Sequence, residues 1–597
     1  CLPNNAMPRF PPQESELILY DHRQESWLYF RQPARLVIAW QASQVIPALQ
    51  QIEQEVEQGG RHAAGFLAYE AAPAFDPAFQ VYPLPGRPFP LLWFGIFDPP
   101  ECLPRQALPG EPSRLPGEWL ADITEHAYRR SIRKIKSYIA HGETYQVNFT
   151  YRLHTACPES AWGGFTSLVG DAPPPFAGYL ETGGWAIGSL SPELFFSLDG
   201  NQITSRPMKG TAPRGLTTAD DRRQAAWLKR SAKNRAENVM IVDMVRNDLG
   251  RIAQTGSVQV PRLFEVEKYP TVWQMTSTVQ AETHASLAEI FGALFPPASI
   301  TGAPKIRTMQ LIHTLESSPR RIYTGTLGYY APGRQACFNV AIRTLLVDQA
   351  ARLAEYGVGG GIVWDSQPAE EWRETQTKAR ALAEPARPFE LLETLRWTPG
   401  EGWYLLNGHL RRLAQSAEYF DYPLDLAGLR AGLDDLAASF GSQPQRVRLQ
   451  LNRAGELTLE GQPLLPGGNP IQVCLAKEPI ASRNRFLYHK TTRREIYTQA
   501  LSARPGYADV LLWNERQELT ESTIANLVVE LDGRRYTPPV HCGLLAGVYR
   551  AWLLETGQVE ERVLPLDELP RFHRIFLVNS VRGLWEVSLP LASESKP

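Results

Sequence analysis

GVGGGIVWDSQPAEEWRETQTKARAL, residues 357–382, joins a glycine run to a stretch whose charged residues have helical spacing. Glu371 and Glu374 lie three apart and Lys378 one turn further on, so a helix would set all three on one face. A second helical stretch, KNRAENVMIVDMVRNDLGR at 233–251, contributes Glu237. A hard cation such as magnesium takes a few carboxylates together with substrate oxygens and waters, and Glu237 and Glu374 could supply the carboxylates jointly. Spacing alone favours solvated helix faces on which these acids meet neighbouring Lys and Arg.

The surrounding chain is long, 597 residues, which exceeds a single hydrophobic core and predicts two to four domains. Hydrophobic residues at 43% and charged residues at 21% are the balance of a globular protein. A formal net charge of −2, with Lys and Arg spread along the chain, offers no electrostatic footprint for nucleic acid or an anionic membrane, so small-molecule chemistry is expected. The six cysteines, Cys1, Cys102, Cys157, Cys337, Cys474 and Cys542, form no C-x-x-C pair and are read as reduced. No apolar run approaches the roughly 20 residues of a bilayer span, and a signal-peptide pattern is missing, which predicts a cytoplasmic protein.

Residues 1–118 mix short apolar runs with proline-rich stretches and read as strands, turns and loops. Within ITEHAYRRSIRKIKSYIAHG, Ile and Tyr at three-to-four spacing and the closing Gly142 predict a helix over about 122–140. Strand and helix signals alternate from there to about 380. The two prolines of ALAEPARP, 381–388, mark a linker. The expected division is 1–385, with an N-terminal subdomain at 1–118 and a catalytic region at 119–385, followed by a second domain at 386–597.

Residues 59–382 resemble the chorismate-utilising enzymes, the group of anthranilate synthase, isochorismate and salicylate synthases and aminodeoxychorismate synthase component I. The blocks that carry the resemblance are GETYQVNF (142–149), SPELFF (191–196), RPMKGTAPRG (206–215), AENVMIVDMVRNDLGR (236–251), SITGAPKIRTM (299–309), YTGTLGYY (323–330), FNVAIRTL (338–345) and GVGGGIVWDSQPAEEWRET (357–375). The resemblance implies an α+β fold of β-sheets with surrounding helices and a magnesium ion on Glu237 and Glu374. It further implies a chorismate site drawing on Arg343, Tyr323, Thr301, Lys378 and the glycines Gly359, Gly360 and Gly361. An Arg fork suits a carboxylate, and consecutive glycines admit close backbone N–H groups. Glu193 matches the general acid that protonates the departing C4 hydroxyl, a role that needs a raised pKa.

Two positions bear on which reaction is run. Gln146 stands where the water-adding relatives carry a lysine base, which favours nitrogen chemistry. Lys209 matches a lysine proposed as nucleophile in aminodeoxychorismate synthases, attacking C2 before ammonia attacks C4. Asn234 and Gln274 depart from the family pattern, which is often acidic at the first and histidine at the second. No cysteine lies in the glycine-rich elbow of a glutaminase, so ammonia is expected from a separate glutamine amidotransferase subunit.

From about 389 onward the chain resembles the class IV pyridoxal-phosphate enzymes, which include aminotransferases and aminodeoxychorismate lyase and are built from two subdomains. The carrying blocks are FELLETLRW, NGHLRRLAQSAEYF, RFLYHKTTRREIY, DVLLWNERQELTESTIANLVVE, TPPVHCGLLAGVYR and FLVNSVRG. By that resemblance Lys490 bonds to the cofactor aldehyde, and Glu521 keeps the pyridine nitrogen protonated. Arg412, Gly547, Val548 and Ser580 cradle the phosphate. Thr394 is a weaker candidate for substrate contact, and a homodimer through this domain is implied. Together the two resemblances imply a bifunctional enzyme that aminates chorismate and then eliminates pyruvate to give 4-aminobenzoate for folate synthesis. The alternatives are an anthranilate-forming first domain beside an amino acid aminotransferase, or a first domain that only binds chorismate or an amino acid as a regulator.

Overall fold

A computed structural model describes residues 10–590 apart from 85–87, 106–107, 109–114, 116–117, 171, 380–381, 383–387 and 465–470. Most of the expected linker at 381–388 therefore lies outside the described residues. The chain divides into two compact units: residues 1–212 with 227–388, and residues 213–226 with 389–597.

In the first unit, two ten-stranded antiparallel sheets carry the architecture. One runs from Gly302–Ala303 through Gln146–Ala156, Leu353–Ile362, Thr344–Asp348, Trp185–Ser191 and Phe176–Thr182 to the N-terminal strands. The other begins at Met208–Pro213 and passes through Val272–Glu282, Gln202–Arg206 and Leu194–Asp199 toward His62–Leu67 and Leu92–Phe97. Leu17, Leu19 and Phe30 of the first sheet share a core with Phe66, Trp93 and Phe97 of the second, so the sheets are stacked face to face. Helices cover the outer faces. Ala42–Glu57, Ala232–Gly250 and Leu287–Leu294 share a core with the second sheet, and Glu125–Ala140 and Lys305–Leu315 share one with the first. Strands enclosed on both sides have no polar face: Gln146–Ala156 is buried along all but its last residues.

The helix predicted over about 122–140 is present as Glu125–Ala140. The Thr124 hydroxyl accepts from the Ala127 amide at its start, Tyr128, Ile132 and Ile135 are its buried stripe, and Gly142 follows it at φ 73°. The opening stretch forms Pro368–Ala379, with proline at the first helical position, where its missing N–H costs nothing.

The second unit holds a small and a large sheet. Leu391–Thr398, Gln445–Leu451 and Leu457–Pro463 form an antiparallel sheet covered by the helices Leu406–Phe420 and Leu426–Ala438. In the eight-stranded sheet an extra pairing, Glu521 with Asn526, closes six of the strands into a ring, which is filled by Val473, Leu511, Leu527, Leu577 and Val587. Residues 213–226 belong to this unit through polar and ring contacts. Tyr419 donates to the Gly215 carbonyl (2.7 Å), Thr218 donates to the Gln415 carbonyl (2.8 Å), and the Arg214 guanidinium lies over the Tyr419 ring (4.4 Å).

Cys157, Cys337, Cys474 and Cys542 are free thiols. Cys102 is disulfide-bonded, which departs from the reduced reading of the sequence. Among the described residues no helix is long and apolar enough to cross a membrane.

Candidate active sites

In the first unit Gln146, Glu237 and Gly361 lie close to the amine of Lys209, and Glu193 and Glu374 are within its electrostatic reach. Its strand is held by the helix Ala232–Gly250 and by the neighbouring strand Val272–Glu282. Asn238 donates to the Lys209 carbonyl (3.1 Å), and Gln274 donates to the Gly210 carbonyl (2.9 Å) while accepting from Thr211 (3.0 Å). Gly210 turns the strand at φ 101°, with Asn234 and Met275 within 3.3 Å of where a Cβ would stand, so only glycine fits there without strain. Asn234 and Gln274, the two departures from the family pattern, thus shape the strand that carries Lys209.

The Lys209 amine is 3.9 Å from Glu237 and 2.4 Å from the point a Cβ of Gly361 would occupy. Gln146 reaches within 3.2 Å of the same point. Its side chain is fully buried, yet both amide atoms lack a hydrogen-bond partner. A buried amide left unpaired costs about 1–3 kcal/mol, the mark of a group placed for a ligand. Gly360 borders the Glu371 carboxylate and the Lys378 amine. Lys378 donates to the Gly359 carbonyl (2.8 Å) and pairs with Glu374 (2.8 Å). That lysine holds the Glu374 carboxyl below its ordinary pKa, with burial opposing and Lys209 and Lys233 assisting.

Glu193 is buried, and burial pushes its pKa up to about 7 against the opposing pull of the Ser299 hydroxyl (2.7 Å), the Met208 amide and Lys209. Arg343, at φ 51°, has no hydrogen-bond or ion-pair partner for its guanidinium among the described residues, and its charge is felt by Tyr269 and Tyr356. Tyr269 is also within electrostatic reach of Glu193. The Tyr323 ring fills the space where Gly357 would carry a Cβ (2.2 Å) and stacks under the Arg152 guanidinium (5.0 Å). The Thr301 hydroxyl donates toward the Pro297 and Ala298 carbonyls (3.2 and 3.3 Å), which leaves it to meet a ligand only as an acceptor.

The donor chemistry fits magnesium. Glu237 and Glu374 both feel the charge of Lys209. These two carboxylates would hold the ion, with substrate and water completing its shell.

In the second unit Lys490 lines a cleft of about 580 Å³ together with Thr394, Arg412, Glu521, Gly547, Val548 and Ser580. Burial, helped by Arg412 and Arg494 and opposed by Glu393 and Glu521, lowers the Lys490 pKa to about 8. Glu521 is buried and pushed up to about 8, while the Tyr497 hydroxyl (2.8 Å) and the Asn526 amide (3.2 Å) donate to its two oxygens. A cationic partner is what would keep this carboxyl ionised, which fits a pyridine N–H.

Gly547 precedes the helix Val548–Glu555, whose first amides have no partner within the helix. A Cβ on Gly547 would stand 1.8 Å from Asn526 Oδ1. This opening and Ser580 fit a phosphate. Arg412 differs from the expectation: its Nε and Nη2 are spent on Glu393 (2.8 and 2.7 Å), and Nη1 donates to the Ala546 carbonyl (3.2 Å). Glu393 also accepts from His409 (2.8 Å). Tyr497, Asn526, Glu393 and His409 carried no signal in the sequence beyond their place inside the motif blocks.

Residues 14–384 match the model of the chorismate binding enzyme family, and residues 390–589 match that of amino-transferase class IV. The chain is 39% identical over 280 residues to aminodeoxychorismate synthase component 1 of Escherichia coli K12, covering 47% of this chain and 61% of that protein. It is 40% identical over 265 residues to anthranilate synthase component 1 3 of Haloarcula marismortui, covering 44% of this chain and 52% of that protein. The chain thus spans between half and two thirds of the length of these relatives. The crystal structure of anthranilate synthase component I from Streptococcus pneumoniae TIGR4 superposes with a TM-score of 0.51 at 21% identity, over 64% of this chain and 94% of that one, a likeness of fold. With 14–384 matched end to end and the lysine, glutamine and carboxylates of its blocks gathered round one point, the chain belongs to the chorismate binding enzyme family.

Proposed function

We propose that the chain makes 4-aminobenzoate from chorismate and ammonia in two steps, amination in the first unit and pyruvate elimination in the second. The observation that carries the reading is the approach of Lys209 and the unpartnered Gln146 to Gly361, with Glu193 in electrostatic reach of the lysine. A glutamine cannot act as the base that activates water, whereas a lysine amine is a nucleophile.

Magnesium, when held by Glu237 and Glu374, supplies positive charge for the ring carboxylate of chorismate. Arg343 is the free guanidinium for the other carboxylate. The Lys209 amine adds at C2 as the C4 hydroxyl departs, and Glu193, protonated near neutral pH, gives that oxygen its proton so that water leaves. Ammonia then adds at C4, the ring double bonds shift as the C2–N bond breaks and the Lys209 amine leaves, and the proton shed by the added ammonia returns to Glu193, giving 4-amino-4-deoxychorismate.

In the second unit Lys490, Glu521, Gly547, Val548 and Ser580 would hold pyridoxal phosphate, which would supply an electron sink for the amine carbon. Glu521 holds the pyridine nitrogen protonated. Lys490, freed as an amine when the substrate amine takes its place, removes the C4 proton; the C3–O bond breaks, the ring becomes aromatic, and the departing enolate takes up that proton to become pyruvate. Ammonia comes from a separate glutamine amidotransferase subunit, the second unit pairs as a homodimer, and the protein is cytoplasmic.

The second reading, anthranilate formation beside an amino acid aminotransferase, draws on the similarity to anthranilate synthase. One assay separates the two. Purified chain is given chorismate, magnesium, ammonium chloride and pyridoxal phosphate, and the products are resolved by chromatography. Equal amounts of 4-aminobenzoate and pyruvate are expected; anthranilate, or pyruvate without 4-aminobenzoate, would reject the proposal.

A further inference from the structure

The cleft around Lys490 is lined by five arginines and that lysine against one carboxylate, Glu521. Not all of this charge is committed. Arg412 is anchored on Glu393, and Arg494 donates to the Thr523 carbonyl. Arg446 and Arg448, by contrast, have no hydrogen-bond or ion-pair partner among the described residues, and both line the cleft.

The strand Gln445–Leu451 explains how they come to be there. Gln445, Val447, Leu449 and Leu451 are buried and Arg446 and Arg448 exposed, so the strand gives its apolar side to the core and its arginines to the other face. Across the sheet Arg446 is opposite Arg396, and Arg448 is opposite Thr394 on one side and Glu460 on the other. Glu460 does not come within ion-pair distance of Arg448. Like charges directly opposite one another destabilise a sheet. An anion in the cleft removes that cost.

With the cofactor phosphate read as held at Gly547, Val548 and Ser580, these two arginines are left for another anion. Two forked donors therefore remain, two residues apart on one strand face, roughly 7 Å. That spacing spans two carboxylates carried by one six-membered ring, and each arginine can grip one of them bidentately. A simple amino acid has a single α-carboxylate and would leave one arginine unmatched.

We propose that Arg446 and Arg448 are the carboxylate anchors of the Lys490 cleft, which select a cyclic amine bearing two carboxylates over a monocarboxylate amino acid. This rests on the reading of the second unit as the elimination site, and it extends that reading to substrate selection.

The test uses the full chain loaded with pyridoxal phosphate and two unreactive probes, isophthalate with two carboxylates and benzoate with one. Binding is followed through the cofactor's own absorbance, a signal that a ligand in the first unit does not give. Wild type is expected to bind isophthalate at least tenfold more tightly than benzoate. The R446Q/R448Q chain should lose that preference, with isophthalate weakened by the larger factor, and R446K/R448K, which keeps the charges without the forks, should recover part of it. Equal binding of both probes by wild type, or a preference that survives R446Q/R448Q, would overturn the proposal. Pyruvate release by wild type is scored separately. A dicarboxylate preference without pyruvate retains the anchors and rejects elimination, while pyruvate without the preference does the reverse.

Discussion

Glu193 has a carboxyl whose proton is held more tightly in the folded chain than in the unfolded one, because burial raises its pKa to about 7. Its acid form is the one the amination uses, so the amination rate should be level below pH 7 and fall above it. Glu193→Gln should lower that rate by about 10²–10⁴-fold and leave elimination from added 4-amino-4-deoxychorismate intact. The same group sets a stability trend. Between its unfolded value near 4.5 and about 7 the native chain binds the extra proton, so stability declines as pH rises through that window and levels off above it. Thermal melting at pH 5 and pH 8 should show Glu193→Gln gaining on wild type at the higher pH. Lys490 has the opposite displacement, down to about 8, and its neutral amine is the form that attacks an aldehyde. Cofactor capture by the cofactor-free chain, followed by absorbance, should accelerate as pH rises through 8; a rate that keeps rising toward pH 10.5 would place the amine in ordinary solvent.

At the scale of elements, the strand Leu353–Ile362 shows how glycines differ in what they permit. Gly357 and Gly361 both lack room for a Cβ, but the obstacles are unlike. At Gly357 the obstacle is the buried Tyr323 ring at 2.2 Å, which cannot move without opening the core. At Gly361 it is the flexible tip of Lys209 at 2.4 Å. Gly361→Ala should therefore fold with a melting temperature close to wild type while its amination rate drops at least tenfold, because the methyl displaces the amine. Gly357→Ala should lose stability first. Measuring melting and amination for both variants checks the distinction, and a fully active Gly361→Ala would remove Lys209 from the reacting centre.

For the molecule as a whole, each unit has its own complete set of chemical groups, and the proposed steps should separate by mutation. Lys490→Ala should accumulate 4-amino-4-deoxychorismate and form no 4-aminobenzoate. Glu374→Gln should abolish amination yet still convert added 4-amino-4-deoxychorismate. Mixing the two variants should restore 4-aminobenzoate, and a mixture that stays silent would mean the steps depend on one another within a chain. What the sequence by itself determined is local and ordered: a helix over about 122–140 from its apolar spacing, present as Glu125–Ala140, and the motif blocks that nominate Lys209, Gln146, Glu193, Glu237, Lys490 and Glu521 as candidates. What only the tertiary structure decided is which distant groups meet. Asn238 and Gln274 grip the Lys209 strand from elements 29 and 64 positions away, and Arg412 spends its fork on Glu393. Residues 213–226 are part of the second compact unit, and the Thr301 hydroxyl turns to its own backbone. The physical reason is that hydrogen-bond partners and unpaired arginines are set by strand register and helix packing across long separations, and a side chain's identity does not encode which partner will be within 3 Å of it.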